Sequence, residues 1–173
     1  MKLNEITTIV FDVDGVFTDG SIYVSDNGLN MTRFNVYDGM GCMLLKQIGI
    51  DLLILTARHS DAIVERFNNL GINKVFTNVL NKRNFIRDYI KTNNLRKEEV
   101  VMVGDDLQDL YAKDQVGAFL TTINAIDEVK DNADYITKKT GGSGAVREIC
   151  ELIIRSKGTS STKEFDLLIK KSD

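Results

Sequence analysis

Ile6-Thr7-Thr8-Ile9-Val10-Phe11-Asp12-Val13-Asp14-Gly15 runs from an apolar stretch straight into two carboxylates and a glycine. The run Ile6 to Phe11 reads as a buried strand, and the acids that follow fall just past its carboxyl end. Four similar runs follow at Asp51 to Leu55, Lys74 to Phe76, Val100 to Val103 and Val116 to Leu120. Between them, Gly41 to Ile48, Asp61 to Leu70, Arg83 to Asn93 and Leu107 to Lys113 carry a helical period. Strands apolar on both faces and separated by helices predict a parallel sheet covered on both sides. The expected fold class is therefore α/β, a doubly wound parallel sheet.

One segment interrupts the alternation. Ser21 to Val24 and Met31 to Val36 read as strands flanking Ser25-Asp26-Asn27-Gly28, whose turn chemistry suits a β-hairpin inserted after the first strand. The stretch Lys157 to Asp173 opens on Gly, Thr and Ser and then places Phe165, Leu167, Leu168 and Ile169 in a short amphipathic pattern. The expected organisation is one domain over 1–156, hairpin at 21–36, and a tail over 157–173. With 173 residues in all, no separate cap domain fits.

Composition narrows the function classes. Lys plus Arg number 22 against 25 Asp plus Glu, so neither a nucleic-acid nor an anionic-membrane footprint is expected. No stretch is long and apolar enough to span a bilayer, and the first residues lack a signal-peptide pattern, so a soluble, cytoplasmic protein is expected. Cys42 and Cys150 fit reduced, buried packing rather than a disulfide framework.

In a parallel sheet, ligands gather beyond the carboxyl ends of the strands. The first strand delivers Asp12 and Asp14 there, the second Thr56-Ala57-Arg58, and the fourth Gly104-Asp105-Asp106, with Asp109 one helical turn on and Lys82 before the third helix. Asp12, Asp14 and Asp105 gathered as bare carboxylates repel one another, and a hard divalent cation with oxygen ligands, Mg²⁺, resolves this. Asp12 then reads as a carboxylate nucleophile toward phosphorus and Asp14 as the acid and base for the leaving and attacking oxygens. Thr56, Ala57 and the amides of their loop, with Lys82, read as the phosphate holders.

The ordered set Asp12-Val13-Asp14-Gly15-Val16, Thr56, Lys82 and Gly104-Asp105-Asp106-Leu107-Gln108-Asp109 resembles the four motifs of the haloacid dehalogenase superfamily. The resemblance extends to its uncapped 3-deoxy-D-manno-octulosonate 8-phosphate phosphatases. Asp12 to Gly20, Phe34 to Gly41, Arg58 to Ser60, Arg66 with Leu70-Gly71-Ile72, Asp134 to Thr137 and Gly141 to Glu148 carry it, nearly the whole chain to Ile154.

This resemblance implies Mg²⁺ held by Asp12, the backbone carbonyl of Asp14 and Asp105, with Asp12 as nucleophile and Asp14 as acid and base. It implies substrate contacts from Asn35, Val36, Tyr37, Asp38 and Gly39, and sugar-acid or phosphate contacts from Arg58, Arg66 and Lys82. It implies a small sugar phosphate as substrate and a homotetramer built on the hairpins, with tails reaching adjacent sites. Arg58 favours the eight-carbon substrate over a nine-carbon keto-sugar acid 9-phosphate, which stands as the alternative.

The chain departs from that pattern at Ala57, at Tyr37, and over Thr121 to Ile126. Some residues read two ways. Asp106 and Asp109 suit either support of the ligands or caps at a helix start. Arg58 and Arg66 suit either the site or surface ion pairs, and Gly141 to Gly144 suit either an anion cradle or a turn. His59 reads as incidental or as support for its neighbours. A phospho-receiver domain shares the residue types but not their order along the chain, and an idle oligomerisation module would not need Asp12, Asp14, Lys82 and Asp105 intact.

Overall fold

The computed structural model describes residues 2–26 and 31–171. Strands β1 (Thr8–Phe11), β2 (Asp51–Leu55), β3 (Val75–Phe76), β4 (Val100–Val103), β5 (Ala118–Thr121) and β6 (Tyr135–Ile136) form one sheet. Its order is β3-β2-β1-β4-β5-β6, and every pairing is parallel. Phe11 lies between Ile54 and Val103, so β1, β2 and β4 deliver their ends to one rim. The expected α/β sheet is thus present.

Both sheet faces are buried, as the continuous apolar runs require. Ile9, Phe11, Leu52, Ile54, Val101 and Val103 pack one way, and Val10, Leu53, Leu55, Val100 and Met102 the other. On the first side lie helices α1 (Val36–Gln47), α2 (Asp61–Asn69) and α6 (Ala145–Ser156), contributing residues such as Leu45, Phe67 and Ile149. On the second side lie α3 (Lys82–Thr92) and α5 (Asp127–Asn132), through Ile86 and Val129. Phe17, from the loop after β1, stacks edge-on with Phe11 at 5.2 Å and Phe67 at 4.8 Å, which fixes that loop against the core. Removing such a ring costs about 3–5 kcal/mol.

Several boundaries differ from expectation. β1 starts at Thr8 because Leu3–Glu5 forms a 3-10 turn, although Ile6 remains buried. α1 begins at Val36 rather than Gly41, which ends the second arm of the expected hairpin early. Asn35 caps it by accepting the Tyr37 N–H at 2.8 Å. Gly39 and Gly41 mask the helical period because they are needed for close approach: an added Cβ would lie 2.7 Å from Arg66 Nη2 at the first and 3.0 Å from Cys150 Sγ at the second.

The arms of the insertion pair antiparallel at a single bridge, Tyr23 with Met31. Part of the expected turn, Asn27-Gly28, lies outside the described residues. A short helix α4 (Leu107–Leu110) gives way to a 3-10 turn at Lys113–Gln115 instead of running on. The segment after Lys157 forms helix α7 (Ser161–Lys170), capped by Ser160 and lying on α1 of its own chain, where Lys171 Nζ reaches Gln47 Oε1 at 3.1 Å. Among the described residues no helix is long and apolar enough to cross a membrane.

Candidate active site

A cleft of about 280 Å³ opens beyond the carboxyl ends of β1, β2 and β4. Asp12, Asp14, Gly15, Thr56, Ala57, Arg58, Lys82, Asp105, Asp106 and Asp109 all line it, as the sequence reading expects. Gly20 and Gln108 line it as well. No role is legible for either from the sequence, although Gln108 sits inside the fourth motif.

At the base, Lys82 Nζ lies 2.7 Å from Asp12 Oδ1 and 2.6 Å from Asp109 Oδ1. Burial alone would depress the Lys82 ammonium, but Asp109 and Asp12 outweigh it and hold its pKa above the ordinary lysine value. Asp12 is pushed up to about 7, by burial first and then by Asp109, with Lys82 opposing. Asp105 is pushed up to about 8 by burial and by the charges of Asp12, Asp109 and Asp106. The rim therefore carries more negative charge than Lys82 neutralises.

Asp12, Asp105 and Asp109 bring carboxylate oxygens within 4.8 Å of one another. An oxygen-only, charge-rich donor set of this kind fits a hard cation such as Mg²⁺. Asp109, however, has both oxygens engaged. Its Oδ1 takes Lys82, and its Oδ2 accepts the N–H groups of Asp105 and Asp106 at 3.0 and 3.3 Å. It holds the loop that presents Asp105, which leaves Asp12 and Asp105 as the carboxylates free for a cation. Asp106 lines the cleft and caps α4 at the Leu107 N–H, 2.7 Å away. The two readings of this acidic pair, support and cap, both apply.

Backbone closeness builds the loop after β1. Gly15 has φ of +77°, and an added Cβ there would lie 1.8 Å from Asp105 Oδ2. Thr122 Oγ1 and Asn124 Nδ2 donate to the Gly15 carbonyl at 3.1 and 2.9 Å. Asn124 Oδ1 also accepts the Gly141 N–H at 2.6 Å, and an added Cβ on Gly141 would meet the Gly15 carbonyl at 2.0 Å. Thr122 and Asn124, in the stretch that departs from the family pattern, thus brace the loop that carries Asp12 and Asp14.

The Gly141 to Gly144 turn is no anion cradle. Gly141 and Gly142 pack backbone on backbone against residues 15–19, and the start of α6 already holds a carboxylate, that of Asp38. The Arg147 N–H donates to Asp38 Oδ1 at 2.7 Å. Asp38, expected as a substrate contact, lies away from the cleft of its own chain: with 1% of it exposed, it ties α1 to α6. Burial raises the Asp38 carboxyl pKa, against the lowering pull of that N–H.

Other members of the expected substrate segment also stand apart from the cleft of their own chain. Asn35 caps α1, and Gly39 seats the Arg66 guanidinium, which lies over the Phe34 ring at 5.8 Å. Val36 and Tyr37 are exposed and line a separate groove of about 510 Å³ with Met40, Leu44 and Phe165. His59 Nδ1 meets Thr77 Oγ1 at 3.2 Å and its Nε2 lies 3.5 Å from Asp61, so it ties the loop after β2 to the loop after β3. Cys42 and Cys150 are buried and reduced, and burial pushes the Cys150 thiol up, with Cys42 reinforcing it.

On the opposite wall, Arg58 grips Asp14 with two contacts, Nε to Oδ2 at 3.1 Å and Nη2 to Oδ1 at 2.6 Å. Thr56 is buried, and its Oγ1 accepts the Arg58 N–H at 3.1 Å, which shapes the turn. A strand end bearing two carboxylates, a lysine from a later helix and an acidic loop after β4, all on one parallel rim, define a haloacid dehalogenase-like hydrolase. The family pattern of that name matches residues 69–149.

The chain belongs to the 3-deoxy-D-manno-octulosonate 8-phosphate phosphatase family. It is 35% identical over 157 residues to the phosphatase of that name from Escherichia coli K12, covering 91% of this chain and 84% of that one. The crystal structure of the Moraxella catarrhalis phosphatase, in complex with magnesium, phosphate and KDO, is 35% identical with a TM-score of 0.89, covering 99% and 96% of the two chains. That from Yersinia pestis is 34% identical with a TM-score of 0.87, covering 91% and 85%.

Proposed function

We propose that the protein hydrolyses the phosphate monoester of 3-deoxy-D-manno-octulosonate 8-phosphate, through an aspartyl-phosphate on Asp12 and with Mg²⁺ held by Asp12, the Asp14 carbonyl and Asp105. One observation carries the reading: the Asp12–Lys82 contact at 2.7 Å lies in the same cleft as the Asp14–Arg58 contact at 2.6 Å. The first suits phosphorus chemistry, and the second places a carboxylate-binding guanidinium beside the acid and base. When bound, Mg²⁺ supplies charge neutralisation at the phosphate and among the acids.

The remaining chemistry belongs to the chain. Lys82 holds one oxygen of Asp12 and so orients the other, which forms a bond to phosphorus while the bond to the sugar oxygen breaks. Asp14 gives a proton to that leaving oxygen. It then takes one from a water whose oxygen attacks the phosphoaspartate, releasing phosphate and restoring Asp12. Thr56, the backbone of Ala57 and Lys82 hold the phosphate oxygens as charge shifts among them.

A lone chain leaves the sugar side open. Ile22, Val24 and Met31 on the insertion are exposed, as are Val36 and Tyr37, which supports a homotetramer in which neighbouring insertions complete each site. Residues 1–156 form the catalytic domain and 157–173 the tail in this reading, and the reaction is cytoplasmic.

Phosphate release in Mg²⁺ across eight-carbon and nine-carbon keto-sugar acid phosphates and hexose phosphates tests the substrate. Comparable rates on all three classes would defeat the specificity. An inert protein would favour the scaffold alternative. Light scattering tests the tetramer.

A further inference from the structure

We infer that Arg58 sorts substrates through Asp14: a carboxylate on the substrate takes Arg58 away from Asp14 and so frees Asp14 for the leaving oxygen. The inference rests on the phosphatase reading above and deepens it.

The geometry is a two-pronged clasp. Both Asp14 oxygens are engaged by one guanidinium, at 2.6 and 3.1 Å. While that clasp holds, both oxygens are tied to the guanidinium, and Asp14 cannot turn to a leaving group without breaking it. Both partners line the cleft, and their side chains remain 35% and 39% exposed, so an incoming anion can reach them. Asp14 is Arg58's ion-pair partner in this structure, and a planar carboxylate on a ligand offers the guanidinium the same two-oxygen fork.

Exchange of one carboxylate for another costs little, because the guanidinium keeps an equivalent contact throughout. A pair this exposed is also only weakly stabilising, so a ligand already anchored by its phosphate can displace it. A phosphate ester without a carboxylate has nothing to offer Arg58. It binds at the phosphate end and meets an Asp14 that is still clasped. Discrimination then falls on turnover as well as on binding.

Arg58 is thus a positioning residue for Asp14 in addition to a contact for the sugar acid. The two roles separate by experiment, because removing the clasp moves two substrates in opposite directions. The test compares kcat and KM of the full-length protein and of Arg58→Gln in Mg²⁺. One substrate is 3-deoxy-D-manno-octulosonate 8-phosphate and the other is glucose 6-phosphate, a primary alkyl ester with no carboxylate.

For the sugar acid, kcat/KM is expected to fall about 100-fold in Arg58→Gln, the loss of a charge-assisted two-pronged contact. For glucose 6-phosphate, kcat is expected to rise severalfold. Arg58→Lys keeps the charge but loses the fork, and lies between the two on both substrates. A glucose 6-phosphate kcat in Arg58→Gln equal to or below that of the unaltered protein overturns the inference. Hydrolysis of neither ester by the unaltered protein overturns the phosphatase reading itself, and the inference with it.

Discussion

Lys82 Nζ lies 2.6 Å from Asp109 Oδ1 with both side chains closed off from water, 2% and 1% exposed. Neither charge is affordable without the other. Replacing Asp109 by Ala strips a buried cation of one partner and releases the N–H groups of Asp105 and Asp106. A loss of about 3–5 kcal/mol in stability is expected, together with loss of phosphatase activity. Thermal or urea unfolding of Asp109→Ala checks the first, and an unchanged melting curve would refute the assignment.

Asp12→Asn removes the proposed nucleophile while leaving an oxygen for Lys82, which keeps Asp109 as its counter-charge. Phosphate release is expected to vanish with secondary structure and assembly retained. Circular dichroism and light scattering establish the second half. Substantial residual turnover would show that some other group attacks phosphorus.

The carboxyls of Asp12 and Asp105 sit at about 7 and about 8, against 3.8 as the ordinary value. Between pH about 4 and about 8 the metal-free native protein therefore keeps protons that the unfolded chain has shed, so these two groups make stability fall as pH rises through that window. A divalent cation displaces the same protons. Its stabilisation is expected to grow with pH across the window. Melting temperatures in EDTA and in Mg²⁺ at pH about 5 and about 8 measure both effects, and an equal gain from Mg²⁺ at the two pH values would contradict the account.

Asn124 joins two loops by accepting from Gly141 and donating to Gly15. Asn124→Ala is expected to lower kcat about 10-fold or more with a modest cost of about 1–2 kcal/mol in stability, since two hydrogen bonds are lost next to a loop that must be held to a fraction of an ångström. Kinetics and unfolding on the same preparation check it. A variant with full kcat would mean that Thr122 alone suffices.

The sequence makes the sheet legible because strands apolar on both faces admit few other arrangements, and the rim acids follow from the strands that carry them. Lys82, Thr56 and Asp105 come out of spacing and order alone. What stays hidden rests on contacts distant along the chain. The role of Asp38 depends on α6, and nothing near Asp38 announces a helix start so far downstream. Asn124 and Thr122 look like departures from a pattern until Gly15 is seen beside them. The true start of α1 is obscured by Gly39 and Gly41, whose small size serves Arg66 and Cys150 rather than the helix. Two-residue strands such as β3 and β6 carry too little period to be bounded well.

The seating of Gly141 against the Gly15 carbonyl joins parts of the chain that are far apart in sequence. The loop that carries Asp12 and Asp14 leaves β1, whereas the backbone that sets its shape lies between β6 and α6. The acids of the rim, all found between β1 and α4, thus owe their geometry to a turn that contributes no acid of its own. A contact of such long sequence separation is expected to form late in folding, because the loop between its ends must close first.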